Sequence, residues 1–220
     1  LSRVSNAGFI TEFTYDQLTN KALYQKGSSA NFPDNDVQLA LTVVSAMRAS
    51  NGIGGFNNSQ YSYAEAVFNR QGEGFKGFGK TNHIQVESDI ATVSYYSHES
   101  RFASSPLLRT EQYMSSSNQL IAEREYLLTS RQTGANRVHI SYAQEVRSRS
   151  YDPDGALLLH EEERFDYDAY GNLTTHRRTI PGELEEVLYS TWYNDPGTWI
   201  IGRKTSERRE RQLEGQSSHY

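Results

Sequence analysis

The sequence predicts an all-β protein, an extended antiparallel meander of hairpins, and three observations predict it. Apolar and polar residues alternate at period two from end to end, short turn signals break that alternation at fairly regular spacing, and tyrosine leads the aromatic residues. Alternation at every second position places one set of side chains on one face of a pleated strand. Short, regular turns favour hairpins over strand–helix–strand units. The 15 Tyr, against 9 Phe and 2 Met, suit a sheet that is wet on one face, because a phenol ring covers apolar surface while its hydroxyl stays in water. Hydrophobic residues make up 36% of the chain, which leaves little to line a core buried on both sides.

Taken in order, Phe9, Thr11, Phe13 and Tyr15 alternate with smaller or polar neighbours and read as a half-buried strand. Further strands are expected at residues 38–45, 60–68, 83–87, 91–96, 120–128, 163–168, 173–179, 185–193 and 199–204. Val138, Ile140, Tyr142 and Val146 mark another. Residues 26–36, 49–59 and 115–118 are rich in Ser, Asn or Gly and read as loops. Residues 119–130 also admit a helix, because Glu123, Arg124 and Glu125 are good helix formers; strand is the preferred reading. Residues 207–220 are charged and then Gly/Ser/Gln-rich, which predicts a frayed or helical tail.

Composition excludes several function classes. A net charge of −5 spread along the chain argues against a nucleic-acid surface, which needs clustered Lys and Arg. The one Arg-rich stretch, residues 203–211, is diluted by Glu207 and Glu210. With no Cys, disulfides, Cys-zinc sites and a thiol nucleophile are out. No apolar run approaches the ~20 residues that span a bilayer. The opening Leu1-Ser2-Arg3-Val4 is not a signal peptide, and without an initiating Met the chain reads as cut from something longer.

The most informative segment runs from Arg164 through Phe165-Asp166-Tyr167-Asp168-Ala169-Tyr170-Gly171-Asn172-Leu173 to Thr174, and its chemistry describes a hairpin. Phe165 and Tyr167 share a strand face, Asp168 can cap the backbone N–H two residues on, and Gly171 can take the positive φ that ends a tight turn. A second copy, Tyr151-Asp152-Pro153-Asp154-Gly155-Ala156-Leu157, lies sixteen residues earlier, with Pro153 pre-setting φ at the first central turn position. A degenerate echo, Phe13-Thr14-Tyr15-Asp16, lacks the Gly.

These residues resemble the YD repeat of Rhs proteins, teneurins and the B and C components of bacterial insecticidal toxin complexes. Within that group the likeness narrows to the B component. Tyr61-Ser62-Tyr63 followed by Gly74-Phe75-Lys76-Gly77-Phe78-Gly79 is similar to its tyrosine strand and F-x-GFG segment. Tyr193-Asn194-Asp195 with Trp199-Ile200-Ile201-Gly202 is similar to its Y-x-ND…WLLG segment. Thr42-Val43-Val44 before the tyrosine strand and residues 95–108 after the glycine-rich one keep the same order. One departure is Gly74, where the family carries Arg or Glu before the first Phe.

The resemblance implies a single fragment, residues 1–220, of a YD-repeat β-shell. Residues 1–130 would supply accessory strands, 131–206 the repeat hairpins and 207–220 a disordered tail. It implies a secreted, structural role in which the shell encloses a toxic cargo polypeptide, with no catalytic, cofactor-binding or metal-binding residue in this piece. Its partners would be other parts of the same shell and a cargo-bearing C component or C-terminal toxin. The residues expected to matter are Tyr151, Asp152, Gly155, Tyr167, Asp168, Gly171 and Asn172 in the repeats, and Phe75, Gly77, Phe78, Gly79, Trp199 and Gly202 in the accessory segments. The rival reading is a β module that binds a glycan or a host surface, with Trp192, Trp199 and exposed Tyr as a stacking platform; such rings more often form cross-strand packing pairs worth ~0.2–1 kcal/mol.

Other motifs are weaker. Residues 74–81 satisfy the phosphate-loop pattern GxxxxGK[ST] and residues 72–77 satisfy GxGxxG. Phosphate binding needs a buried strand before the glycines and a helix N-terminus after them. Here Phe68-Asn69-Arg70-Gln71 is a polar lead-in and Asn82-His83-Ile84-Gln85-Val86 alternates like a strand, so the glycines are expected to let Phe75 and Phe78 pack where strands approach closely. His160-Glu161-Glu162-Glu163 lacks the second His of a zinc-protease helix. Asp152-Pro153-Asp154-Gly155 resembles the aspartyl self-cleavage stretch of Rhs cores, with different flanks, and Asp195-Pro196-Gly197 reads as a plain turn. No GxSxG elbow occurs, and the six His are scattered.

Overall fold

The computed structural model describes residues 2–6, 9–99, 105–133, 138–198, 200–213 and 216–218. Every helix or strand among them is a β-strand, so the all-β expectation holds. The chain divides into two compact units, Leu1–Ser100 with Ser104–Ile121, and Arg101–Ala103 with Ala122–Tyr220.

In the first unit, β1 (Arg3–Asn6), β2 (Phe9–Gln17), β5 (Thr42–Ser50), β6 (Phe56–Asn69), β7 (Gly74–Gln85), β8 (Ile90–Tyr96) and β9 (Leu107–Met114) lie side by side in that order, each antiparallel to the next. The long β6 pairs with β5 only over residues 56–60. Beyond that point the same edge takes β4 (Asp34–Asp36) antiparallel and β3 (Tyr24–Gln25) parallel. These two short strands roof a small core in which Leu18, Tyr24 and Ala66 are buried, with Val37, Val43, Tyr63 and Phe78 packed around them. Burying one such Leu contributes about 1.5–3 kcal/mol. Tyr24 also does polar work there: its hydroxyl donates to Val37 O at 2.6 Å and accepts from Ala66 N at 3.0 Å, joining the β4 connection to β6.

The second unit contains most of β10 (Gln119–Thr133), then β11 (Val138–Tyr151), β12 (Leu157–Tyr167), β13 (Leu173–Ile180), β14 (Leu184–Asp195), β15 (Ile200–Leu213) and β16 (Gln216–Ser218), each antiparallel to the one before. Its core is thinner. Val146, Val187 and Ser190 are its buried side chains among the described residues. Cross-strand ion pairs occupy both faces instead. On one face Arg149 meets Glu123 at 2.7 Å and Arg164 meets Glu145 at 3.4 Å. On the other, Arg178 makes a two-pronged contact with Glu161 at 2.9 and 2.7 Å, and Glu163 takes both Arg124 at 3.1 Å and His176 at 2.8 Å. Exposed pairs contribute about 0–1 kcal/mol each, so the backbone ladder carries most of this unit's order.

Several boundaries differ from the expectation. The strand placed at 38–45 begins at Thr42 and runs to Ser50, because residues 37–41 are engaged by isolated bonds, Leu18 N to Leu41 O and Gln38 Nε2 to Leu18 O. The loop at 26–36 ends in β4, and the loop at 49–59 shrinks to residues 51–55, where Asn51 Oδ1 accepts from Ile53 N and Gly55 N. The strand placed at 83–87 is the end of β7, which starts at Gly74 and stops at Gln85 before a turn whose Asp89 takes φ of +55°. The strand β9 had no counterpart in the sequence reading, and β12 begins six residues before Glu163. Residues 119–130 are strand. Residues 207–213, expected to be frayed or helical, pair with β14 from Glu207↔Ser190 to Leu213↔Leu184; partner strands supply the ladder that composition could not reveal.

Candidate functional site

The two tyrosine/aspartate hairpins close in the same way. In the first, Asp152 N donates to Ala156 O at 2.9 Å, Gly155 N donates to Asp152 O at 3.0 Å, and Ala156 N donates to Asp152 Oδ1 at 2.8 Å. In the second, Asp168 N donates to Asn172 O at 3.0 Å, Gly171 N donates to Asp168 O at 3.2 Å, and Asn172 N donates to Asp168 Oδ1 at 2.9 Å. Gly155 and Gly171 take φ of +86° and +87°, the left-handed region that glycine enters without a Cβ penalty. A bulge follows each turn. Leu158 is the extra residue between the pairs Ser150↔Leu159 and Tyr151↔Leu157, and Thr174 is the extra residue between Asp166↔Thr175 and Tyr167↔Leu173. A turn with a left-handed last residue and an adjacent bulge restores the strand twist that the bend would otherwise spoil.

The tyrosines of the repeats turn their hydroxyls to fixed acceptors: Tyr151 donates to Glu123 Oε1 at 2.8 Å and Tyr167 donates to Ala143 O at 3.1 Å, with its ring 4.4 Å from that of Tyr142. The degenerate echo keeps half of the device. Asn20 Nδ2 donates to Asp16 Oδ2 at 2.6 Å, the same Asp-to-Asn spacing as Asp168 and Asn172.

A carboxamide joins the second hairpin to the β14–β15 turn. Asn172 Nδ2 donates to Asp168 Oδ2 at 2.9 Å and to Asn194 Oδ1 at 3.1 Å, Asn194 Nδ2 donates to Asp168 Oδ2 at 3.1 Å, and Gly202 N donates to Asn194 Oδ1 at 2.8 Å. Gly202 has φ of +79°, and a Cβ there would stand 2.9 Å from Asn172 Oδ1. Burial works to raise the Asp168 pKa, but the Asn172, Tyr170 and Asn194 donors outweigh it and hold the carboxyl below its ordinary value. Nearby, Trp192 donates its indole N–H to Leu173 O at 2.7 Å, and Lys204 lies 5.2 Å over its ring. One face of that ring thus meets an ammonium group, and its N–H is spent on the backbone. Trp199 lies outside the described residues.

In the first unit the glycine-rich segment is strand β7 throughout. It is neither a loop nor followed by a helix, so the phosphate-loop geometry is not met. Phe75 and Phe78 meet edge to face at 5.7 Å, and Phe78 packs on Tyr63 at 4.7 Å. Gly77 takes φ of +97°. Gly79 lies against Glu65, itself at φ of +58°; a Cβ on Gly79 would stand 2.9 Å from the Cβ of Glu65. Between Phe75 and Gly77, Lys76 is nearly buried, donating to Asp34 Oδ2 at 3.0 Å and to His98 O. Asn69 Nδ2 supports the other Asp34 oxygen at 2.7 Å.

The structure brings Asp168, Gly171, Asn172 and Gly202 into one network and leaves Tyr151, Asp152 and Gly155 in a separate hairpin. Phe75, Gly77, Phe78 and Gly79 form a third group. Asn194, the hub of the network, stands inside the motif that sequence reading singled out but was not among its chosen residues; an Asn one residue after a strand Tyr and opposite a Gly is the signal that marks it. Glu111 was missed outright. It is buried, accepts from the Tyr95 and Tyr113 hydroxyls at 2.8 and 2.9 Å, and pairs with Arg109 at 3.2 Å; burial and that carboxylate push the Tyr113 hydroxyl up to about 12. Among the described residues, no group of His, Asp or Glu is placed to hold a metal ion, and no helix is long and apolar enough to cross a membrane.

Residues 1–102 match the family model described as the insecticide toxin TcdB middle/N-terminal region. The first part of the chain is similar to an insecticidal toxin-complex family. The match covers slightly less than half of the chain and ends close to the limit of the first unit's leading segment, Leu1–Ser100. The two repeat hairpins and the Asn194 network lie beyond it. No curated protein matches the chain.

Proposed function

We propose that this chain is a structural segment of a secreted toxin-complex shell, of the YD-repeat type and most like the B component, that helps enclose a toxic cargo polypeptide. The observation that carries the reading is the paired hairpin at residues 152–156 and 168–172, closed by the same bonds at sixteen-residue spacing, in a chain whose first 102 residues match the toxin family. Consecutive antiparallel strands support it, because strands added one hairpin at a time extend a wall. On this reading the segment contributes no catalysis and needs no cofactor. Its partners are neighbouring strands of the same shell and the component that carries the cargo.

The test uses the intact toxin component that bears this segment, produced together with its cargo and challenged with protease. Enclosure predicts cargo that survives with the wild type and is digested when Gly171→Val and Gly202→Val open the hairpins. Cargo digested equally fast with the wild type and without any shell would overturn the proposal.

A further inference from the structure

One cleft in the first unit is used by nothing described so far. It has a volume of about 280 Å³ and lies where β3 runs parallel to β6, between the 21–25 segment and the sheet formed by β6, β7 and β8. The registers Ser62↔Asn82 and Asn82↔Val93 place those three side chains in one row across the sheet, and Ala64↔Lys80 places the lysine in the next. The cleft wall thus carries two ammonium groups, Lys21 and Lys80, together with the Ser62 hydroxyl and the Gln25 and Asn82 carboxamides.

Two features mark it as more than a surface depression. Neither lysine pairs with a carboxylate among the described residues; Lys80 instead stands 5.2 Å over the Tyr95 ring. In a chain of net charge −5, two cations lining one cleft without an acidic partner make a local positive site that attracts an anion. Moreover, the Asn82 carboxamide in this wall makes no hydrogen bond through its oxygen within the protein, so a small turn of the side chain offers it to a bound donor. A ligand that satisfies this wall has an anionic group for the lysines, hydroxyl donors for the carboxamides, and a small apolar face for Ala64 and Val93.

We propose that this cleft binds an acidic sugar, its carboxylate held between Lys21 and Lys80 and its hydroxyls meeting Ser62, Gln25 and Asn82. The site involves neither tryptophan and does not depend on the shell reading, since it is complete within the first unit.

The test is calorimetric titration of the full chain with three probes, glucuronate, glucose and acetate, at low ionic strength. Glucuronate is expected to bind at least about tenfold more tightly than either glucose or acetate, the equivalent of one charge-assisted contact. Raising the salt concentration to ~0.5 M should weaken it several-fold, because Lys21 is exposed and Lys80 only part-buried. Lys80→Met and Lys21→Met should each reduce affinity about tenfold, while Lys26→Met leaves it unchanged. If Lys80→Met loses its fold, seen as a changed circular dichroism spectrum, Lys21→Met alone decides. No saturable heat with glucuronate, equal affinity for glucose or acetate, or wild-type affinity in the folded lysine variants would overturn the proposal.

Discussion

Replacing Gly202 by alanine places a methyl group where both the backbone and a neighbour refuse it. The left-handed φ of +79° costs an L-residue about 1–2 kcal/mol. The new Cβ would also stand 2.9 Å from Asn172 Oδ1, so the carboxamide must move, and its Nδ2 bonds to Asp168 and Asn194 go with it. Two hydrogen bonds at about 0.5–1.5 kcal/mol each bring the total to about 2–5 kcal/mol. Gly171→Ala isolates the first effect, because its φ is +87° but no atom lies within 4 Å of a Cβ there; it should cost about 1–2 kcal/mol. Both tryptophans belong to the second unit, so urea melts followed by tryptophan fluorescence report on that unit alone. In an Asn172→Ala background the obstruction is gone, and Gly202→Ala should cost about as much as Gly171→Ala. Equal losses for the two glycine variants in the native background, or strict additivity of Gly202→Ala with Asn172→Ala, would refute the reasoning.

Tyr24→Phe should destabilise the first unit by about 2–3 kcal/mol, since it leaves Val37 O and Ala66 N buried without their shared hydroxyl; hydrogen exchange at Ala66 should rise with it. Lys76→Met should cost about 2 kcal/mol, below the ~3–5 kcal/mol of a fully buried pair because Asp34 keeps some contact with water; Asp34→Asn should restore part of the loss in the double variant, read by thermal melts. The folded-state pKa of Asp168 lies below its unfolded value, so its contribution is present above the unfolded pKa and lost as pH falls through the folded one. Acid titration followed by tryptophan fluorescence should therefore show a stability loss on going from pH ~5 to ~2 that is smaller in Asp168→Asn, whose stability at neutral pH is already reduced.

Much of the fold was legible because its signals are local. The alternation at residues 9–15 and 138–146 is a property of a few adjacent side chains, and the turns at Asp152 and Asp168 need only an acceptor, a glycine and the bonds between them. What stayed hidden depends on residues distant in sequence. β4 and β3 exist because β6 outruns β5 and leaves an edge to cover, and nothing in Asp34-Asn35-Asp36 announces that. The stretch at 207–213 looks like a solvated tail until β14 is laid beside it. Glu65 at positive φ and Gly79 opposite it are one feature split between two strands fourteen residues apart. The same holds for the candidate site: Asp168, Gly171 and Asn172 are readable as a turn, whereas their tie to Asn194 and Gly202 appears only once β13, β14 and β15 are in register.

From β5 to β9, and again from β10 to β16, each strand pairs with the one that follows it in the chain. Closing a short loop costs little conformational entropy compared with joining remote segments, and sheets of such nearby pairings form faster than those of interleaved topology. A polypeptide of this kind can lay down its layers in the order the ribosome delivers them, with each finished hairpin serving as the template for the one that emerges next.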